Sequence, residues 1–328
     1  MLSSRAVEGR LLGRTGLLVP RLGLGFGAVA GLMVRGDRRD QAQTVAQALE
    51  AGIRLFDTAP SYGDGISEEN LGRALAAMDT AQSALVGTKV RLSNDDLGDV
   101  RSAIRRSLEG SCRRLGRERV DLLQLHNLSG EGLDDDQLLG DIAAAMRETV
   151  DDGLVGHIGF MGLGHTAAIH RALGAGVFET VQAYFNVANP SAVYPGATGG
   201  GQDFDGLVTV AAEHDVGVIN ARVYAAGALN ATQGRHPIAG PVGGPFNPED
   251  LDGDLRLSAL AGELGMESAH ELELRFALGA PGISVVLVGL SSLEHLEAAL
   301  RWEARGPLPT EVIERVAGFA RPEASAGL

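Results

Sequence analysis

Short apolar runs alternate with longer amphipathic segments along nearly the whole chain. The apolar runs have the length of buried strands, and the segments between them repeat their apolar positions with the period of a helix. Eight strand–helix units in 328 residues predict a (β/α)8 barrel, or TIM barrel, of the α/β class. The predicted strands are centred on Leu22, Leu55, Val86, Leu122, Ile158, Val181, Val218 and Val286.

Four stretches depart from this alternation. Two apolar runs joined by a glycine-bearing turn, Leu11 to Pro20, predict an N-terminal β-hairpin. Pro195 to Gly201 is rich in glycine, and Gly234 to Pro248 is rich in glycine and proline without periodicity. We interpret the second as a lid or cofactor-covering loop at the C-terminal face of the barrel. Arg321 to Leu328 has the character of a frayed tail. Because no linker interrupts the pattern, we expect one domain over residues 1–328.

The composition and charge of the chain disfavour several classes of protein. A formal net charge of -14 disfavours nucleic acid and anionic membranes as partners. The single cysteine, Cys112, leaves no disulfide framework, and the histidines form no convincing metal-ligand cluster. The N-terminus lacks the apolar core of a signal peptide, and no uncharged apolar run reaches the ~20 residues of a membrane span. These features favour a cytoplasmic protein without a bound metal.

Four ionisable residues lie at or just past successive predicted strand ends. Asp57 ends one strand, and Tyr62 lies in the Pro/Gly turn that follows it. Lys89, the only lysine in the chain, ends the next strand, and His126 ends the one after. Taken singly, these residues have ordinary structural explanations: a turn cap, a packed aromatic, a solvated lysine and a core histidine. Together they favour chemistry, because a barrel carries its active site at the C-terminal ends of its strands.

A glycine pattern near the N-terminus offers an alternative. Residues 25–30 match the loose G-x-G-x-x-A dinucleotide motif after a strand, and Asp57 ends the next strand, where a ribose-binding acid would lie. However, no clear helix opens at Ala30 to bind phosphate, since Gly31 and Gly36 interrupt the sequence there. We therefore favour the barrel over a Rossmann fold.

The chain resembles the aldo-keto reductase superfamily over nearly its whole length. The matching segments are Gly52 to Gly63, Val86 to Val90, Arg119 to Asn127, Gly153 to Phe160, Gln182 to Asn186, Gly217 to Leu229 and Val285 to Leu300. The resemblance implies a catalytic tetrad in which Tyr62 is the general acid/base and Lys89 and Asp57 lower its pKa. It also implies that His126 orients the substrate carbonyl and that Asn127 helps to bind the substrate, a carbonyl compound or sugar.

The resemblance further implies a nicotinamide dinucleotide, NAD or NADP, bound over the barrel mouth without a Rossmann domain and without metal. Matching the family's motifs position by position gives the cofactor contacts. They are Gly27, Ala28, Asp57, Gln182, Arg222, Val223, Tyr224, Ala225, Gly227, Gly289, Leu290, Ser291, Ser292, His295 and Ala299.

Three departures from the family pattern bear on the cofactor. Met161-Gly162 replaces a Ser-Asn pair that often holds the carboxamide, and Ala221 replaces a tyrosine that often stacks on the nicotinamide. The loop from Gly289 to His295 has no fixed cation for a 2′-phosphate, and its Glu294 adds a repulsive charge. These departures resemble the NAD-using sugar dehydrogenase branch, that of L-galactose and D-threo-aldose dehydrogenases, and slightly favour NAD over NADP.

Three functional hypotheses follow from these features. The first is an NAD(P)-dependent oxidoreductase that acts on an aldehyde, ketone or aldose. The second is a non-catalytic, cofactor-binding regulatory protein of the same fold, which the complete tetrad disfavours. The third is an unrelated barrel hydrolase or lyase.

Overall fold

The computed structural model describes residues 9–129, 137–198, 201–225 and 251–320. Strands β3 to β10 are parallel and close into a barrel in the order β10-β3-β4-β5-β6-β7-β8-β9, while β1 and β2 form an antiparallel hairpin. The predicted (β/α)8 barrel and N-terminal hairpin are confirmed. The strands are β1 Gly9–Leu11, β2 Leu18–Pro20, β3 Leu22–Gly25, β4 Leu55–Asp57, β5 Leu85–Val90, β6 Val120–Leu125, β7 Val155–Met161, β8 Thr180–Tyr184, β9 Gly217–Ala221 and β10 Ile283–Gly289.

Helices pack around the barrel, and the main hydrophobic core fills the space between the two layers. The helices are α1 Leu32–Arg35, α2 Arg38–Glu50, α3 Ile66–Ala76, α4 Val100–Leu115, α5 Ala143–Asp151, α6 Thr166–Gly174, α7 Leu207–Glu213, α8 Leu251–Glu263, α9 Ala269–Gly279, α10 Leu293–Ala304 and α11 Thr310–Phe319. Short 3-10 turns cover Gly13–Thr15, Asp79–Ser83 and Asn94–Gly98, and a π turn, Leu138–Ile142, precedes α5. Within the described ranges, no helix is long and apolar enough to cross a membrane.

A second apolar cluster fills the lower half of the barrel interior, at the end where the strands begin. The hairpin closes this end, because its Leu12 and Val19 are completely buried against side chains that point inward from the strands. We call this cluster the barrel floor; its buried members are Leu12, Val19, Leu55, Leu122, Ile219, Val285 and Leu287.

The sequence Ser67-Glu68-Glu69-Asn70 predicts a helix with Ser67 as its N-cap, and the start of α3 differs from this prediction. Ser67 has the residue type of an N-cap, but the cap is Gly65, whose φ of 91° suits glycine. Ser67 lies in the first turn, fully buried. Its hydroxyl donates to the Phe26 carbonyl at 3.0 Å and accepts from the Thr58 hydroxyl at 2.9 Å. The prediction was wrong because Ser67 has tertiary partners in place of the helix backbone.

Helices α1, α8 and α11 were not predicted. The first has only four residues, and glycines weaken the helical signal in α8. By contrast, α11 carries a clear apolar face, with Val312 and Val316 buried, that the sequence analysis overlooked. The predicted lid from Gly234 to Pro248 and the predicted tail from Arg321 to Leu328 lie outside the described residues.

Candidate active site

Alternation along the strands directs the candidate residues into the barrel. Successive side chains of a strand point to opposite faces, and Leu55 of β4 points inward as part of the barrel floor. Asp57, two residues further on, therefore also points inward. Lys89 is paired with Gln124 across β5 and β6, and both are buried. His126 follows β6 directly. The structure thus brings the ends of three neighbouring strands together at one opening of the barrel. We call this opening, at the C-terminal ends of the strands, the mouth.

Asp57 and Lys89 form a buried ion pair. The Lys89 ammonium donates to Asp57 Oδ1 at 2.5 Å and to the Thr58 carbonyl at 2.9 Å. Burial lowers the pKa of Lys89, but the charge of Asp57 and the hydrogen bonds to Asp57 and Tyr62 outweigh it, so this pKa lies above its ordinary value. Lys89 is therefore a fixed positive charge, although its ammonium has almost no contact with solvent.

Tyr62 lies in the turn between β4 and α3, with its ring 5.0 Å from the Lys89 ammonium. Gly63 has a φ of 63° and shapes this turn. Burial of the hydroxyl raises the pKa of Tyr62, Lys89 lowers it, and Asp57 raises it. The net direction is upward. The expectation that Asp57 lowers this pKa needs correction, because a negative charge opposes formation of phenolate. Asp57 can favour phenolate only through Lys89.

His126 faces Tyr62 from across the mouth. The two rings are perpendicular, with centroids 6.0 Å apart, and the His126 amide donates to the Val90 carbonyl at 2.7 Å. Burial, together with the positive charges of Lys89 and Arg91, lowers the pKa of His126 to about 3. The imidazole is therefore neutral at physiological pH, and one ring nitrogen can donate a hydrogen bond to a substrate oxygen.

A buried carboxylate that sequence reasoning missed supports this mouth from behind. Glu68 of α3 is completely buried; it accepts from the Thr88 hydroxyl at 2.5 Å and from Arg114 Nε at 2.6 Å. Thr88 precedes Lys89, so this network ties α3 to the strand that carries the lysine. An acidic residue in the first turn after the Tyr62 loop was the available signal, but it is equally typical of an exposed helix start.

The side chain of Asn127 links two loops. Its side-chain amide donates to the Leu92 carbonyl at 2.8 Å and its Oδ1 accepts from the Leu92 amide at 2.9 Å. Both ends of the side chain are thus engaged by the loop after β5. These bonds hold two loops together, and the contact of Asn127 with substrate stays a prediction.

Two predicted cofactor residues line the mouth in a way that suits a bound ring. Gln182 is buried on β8, and within the described part of the chain its Oε1 has no hydrogen-bond partner. Gly27 lies against Tyr62, so that a methyl group at this position would be 3.9 Å from the tyrosine Cζ. Ala28 adjoins it, with its carbonyl accepting from Arg35 Nη1. The unsatisfied acceptor on β8 can bind the carboxamide of such a ring, and Gly27 leaves space for the ring next to Tyr62.

The predicted phosphate loop follows β10. Gly289 pairs with Gly25 of β3, and the Leu290 carbonyl accepts from the Leu32 amide at 3.1 Å, which fixes the start of the loop. Polar groups of the loop pair with one another. Ser291 Oγ lies 3.2 Å from His295 Nδ1, and a hydrogen bond from Ser292 lowers the pKa of Glu294. Ala299 is buried below in α10.

The segment after β9 carries the remaining predicted cofactor residues. Val223 and Ala225 are buried, and Tyr224 stacks on His270 with ring centroids 5.1 Å apart. Arg222 lies over the ring of Tyr184, 4.9 Å from its centroid. Tyr184 was not predicted, although it ends β8 on the face that carries Gln182. Gly227 lies outside the described residues.

A comparison of the sequence with models of protein families matches residues 21–321 to the aldo/keto reductase family. The chain belongs to the aldo/keto reductase family. The family is one of oxidoreductases, and the barrel is the fold that the sequence predicted. The family assignment covers the four strand-end residues of the site and the loops after β9 and β10.

Similar curated proteins of this family include two sugar dehydrogenases. L-galactose dehydrogenase of Arabidopsis thaliana is 29% identical over 296 residues, which cover 89% of this chain and 86% of the relative. D-threo-aldose 1-dehydrogenase of a Pseudomonas species is 30% identical over 242 residues, or 65% of this chain and 68% of the relative. The predicted similarity of the sequence to this branch of the family is confirmed.

Solved aldo-keto reductases share the fold. The holo form of an enzyme from Bacillus halodurans has a TM-score of 0.73 at 22% identity and covers 98% of this chain and all of its own. An enzyme from Klebsiella pneumoniae, solved with NADP and acetate, has a TM-score of 0.71 at 21% identity and covers 97% of each chain. At these identities the likeness supports the barrel architecture alone.

Proposed function

We propose that this aldo/keto reductase is an NAD(P)-dependent oxidoreductase that interconverts a carbonyl and an alcohol, with Tyr62 as its general acid/base. The substrate is an aldehyde, a ketone or an aldose. The observation that carries this proposal is the joint placement of Asp57, Lys89, Tyr62 and His126 in one mouth.

The side chains divide the proton chemistry between them. Tyr62 donates its hydroxyl proton to the carbonyl oxygen during reduction and takes a proton from the alcohol during oxidation. Its raised pKa keeps it protonated at neutral pH, ready to donate. Lys89 favours the phenolate, which forms when Tyr62 donates its proton in reduction and must be present for Tyr62 to accept the proton of the alcohol in oxidation. Asp57 keeps Lys89 charged and aimed. Neutral His126 donates a hydrogen bond to the same oxygen and orients the carbonyl. A bound nicotinamide dinucleotide supplies or accepts the hydride, which no side chain provides.

The chain offers a set of residues to hold the dinucleotide. Gln182 would bind the carboxamide through its unsatisfied Oε1, and Gly27 would leave room for the ring beside Tyr62. Val223, Tyr224 and Ala225 after β9, together with the loop after β10, would hold the phosphates and the adenosine. We propose that NAD binds at least as tightly as NADP, because the loop from Gly289 to His295 has no lysine or arginine and Glu294 would repel a 2′-phosphate.

Two observations support a sugar as substrate. The relatives with dehydrogenase names act, by those names, on L-galactose and D-threo-aldoses. The mouth is also polar, with Tyr62, His126 and Arg222 facing it, and can therefore bind a hydroxylated ligand. The direction that these names imply is oxidation of the sugar.

The test combines cofactor binding with turnover. NADH and NADPH are titrated side by side against the protein by fluorescence, and a panel of aldoses and simple aldehydes is then assayed with the preferred cofactor. We expect both cofactors to bind, NADH at least as tightly, and turnover of at least one aldose. Binding without any turnover favours the regulatory alternative, whereas failure to bind either cofactor favours a hydrolase or lyase. A preference for NADPH of about tenfold or more would contradict our assignment of the phosphate loop.

A further inference from the structure

Arg222 has a backbone conformation that arginine rarely adopts. It follows β9 with a φ of 56°, in the left-handed region that disfavours most side chains. Its carbonyl accepts hydrogen bonds from Asn186 Nδ2 at 3.0 Å and from the Ala225 amide at 2.9 Å, and these bonds hold the strained turn. Strain of this kind persists only where surrounding contacts enforce it, and it concentrates at functional sites.

The guanidinium of Arg222 is not neutralised by a carboxylate within the described ranges. It stacks on the ring of Tyr184, where the cation–π contact at 4.9 Å restricts its motion. By contrast, Arg114 and Arg275 donate to the buried carboxylates Glu68 and Glu271. Arg222 is half-buried, and because no carboxylate in the described ranges pairs with it, its charge is available to a ligand.

The side chain of Arg222 points toward the part of the site that contains Tyr62. Arg222 follows β9, which lies between β8 and β10 in the barrel, and its guanidinium stacks on a residue of β8. It therefore points away from β10 and from the loop that begins at Gly289. Its charge reaches the Tyr62 hydroxyl, where it lowers the pKa and so opposes the effect of burial. A ligand group that meets Arg222 would therefore lie near Tyr62, where the proposed substrate carbonyl would bind.

We propose that Arg222 selects the substrate by binding a carboxylate on it, so that the preferred substrates are aldehydes or sugars that carry an acid group. The proposal rests on the proposed oxidoreductase function and adds the substrate class to it. The planar guanidinium can donate two parallel hydrogen bonds to a carboxylate, a geometry that a lysine ammonium cannot reproduce. Stacking on Tyr184 preorganises the guanidinium, which reduces the entropy lost when the carboxylate binds.

The experiment compares matched acid and neutral substrates. The wild type and the variants Arg222→Gln, Arg222→Lys and Arg91→Gln are assayed with 4-formylbenzoate and 4-methylbenzaldehyde in reduction, and with D-glucuronate and D-glucose in oxidation. Arg91 provides the control because it is an exposed arginine whose charge also reaches the mouth, at His126. The readout is the ratio of kcat/KM for the acid to that for its neutral partner, which cancels any general loss of activity.

We expect the wild type to prefer the acid and Arg222→Gln to lower the ratio about tenfold or more, in keeping with one lost charge-assisted hydrogen bond. Arg222→Lys should restore part of the ratio, and Arg91→Gln should leave it unchanged. Equal losses on both substrates together with a raised Kd for NADH would place Arg222 on the cofactor and overturn the proposal. A wild type without preference for the acid overturns it as well.

A binding measurement keeps this outcome separate from a failure of the proposed function. If the wild type turns over none of the four substrates, the oxidoreductase assignment fails and calorimetry with benzoate and its neutral isostere benzamide decides the role of Arg222. A preference for benzoate that Arg222→Gln abolishes supports the anion site. The absence of such a preference in the wild type rejects it.

Discussion

The two ends of the barrel interior are built from the same strands but from opposite chemistry. At the floor, Leu55 of β4 and Leu122 of β6 pack with inward side chains of the hairpin. Two residues further along the same strands, Asp57 and Gln124 are also buried, yet they are polar. In the described residues, neither amide atom of Gln124 has a hydrogen-bond partner. On the inward face of these strands, the side chains thus change from apolar to polar between one inward residue and the next.

This difference separates stability from function along each strand. A buried polar group without a partner costs about 1–3 kcal/mol, so the mouth is a region where the fold gives up stability. The floor has no such groups among its buried members, which are all aliphatic. We therefore expect substitutions at the floor to change the free energy of unfolding and substitutions at the mouth to change turnover first.

The largest expected effect is on turnover at the mouth. Tyr62→Phe removes the proposed proton donor and keeps the ring, so turnover should fall by about two to four decades, the range of general acid–base catalysis. The affinity for NADH should stay near that of the wild type, because the hydroxyl is not among the proposed cofactor contacts. Steady-state kinetics and a fluorescence titration measure both. Activity within about threefold of the wild type would exclude Tyr62 from the mechanism.

The ion pair of Asp57 and Lys89 tests whether a polar residue at the mouth can also matter for stability. Lys89→Met leaves a buried carboxylate without its cation and should cost about 3–5 kcal/mol in the free energy of unfolding. Asp57→Asn should cost a comparable amount. The double variant should lose clearly less than the sum, because neither charge is then left alone. Urea unfolding of all three variants measures this coupling; additive losses would show that the two side chains do not act as a pair.

The floor is tested by Leu122→Ala. Leu122 is fully enclosed by aliphatic neighbours, so its truncation should reduce the free energy of unfolding by about 2–5 kcal/mol through lost burial and a residual cavity. Turnover per folded molecule should stay within about twofold of the wild type at a temperature where the variant is folded. A large loss of kcat without loss of stability would show that floor and mouth are not separable.

Much of this division is already visible in the sequence. The alternation of apolar runs and amphipathic segments predicts the barrel, because each run must be buried on both sides of a parallel sheet. The proximity of the predicted site residues has a related reason. Asp57, Lys89 and His126 lie at strand ends, and a closed parallel barrel brings its strand ends to one mouth. Local order along the chain therefore determines long-range proximity in this fold.

The contacts that the sequence did not reveal depend on side chains from distant segments. Ser67 has the composition of a cap but bonds to Phe26, 41 positions away. Glu68 resembles an exposed first-turn acid but meets Arg114. Asn127 lies in a matching motif, yet its amide is taken by Leu92. Residue type shows what a group can bind, whereas only the packing of helices on the barrel shows which partner it meets.

The smallest expected effect, counted per pH unit, concerns His126 and the pH dependence of stability. Its pKa is about 3 in the folded protein, below the ordinary value of about 6.5, because burial and the charges of Lys89 and Arg91 oppose protonation. Between these two values the unfolded chain binds a proton that the folded chain does not. The contribution of His126 to stability is therefore present above about pH 6.5 and is lost as the pH falls toward 3, at up to about 1.4 kcal/mol per unit.

His126→Gln should flatten this slope, since glutamine does not titrate. Urea unfolding at several pH values between 4 and 7 measures the slope, and His214→Gln provides the control for the replacement of an exposed histidine. The same low pKa means that His126 stays neutral while turnover is measured near neutral pH. His126 should therefore cause no change in rate between pH 5 and 8. If the wild type shows such a change, it should persist in His126→Gln. An unchanged stability slope in His126→Gln would show instead that the imidazole meets solvent and is charged in the folded protein.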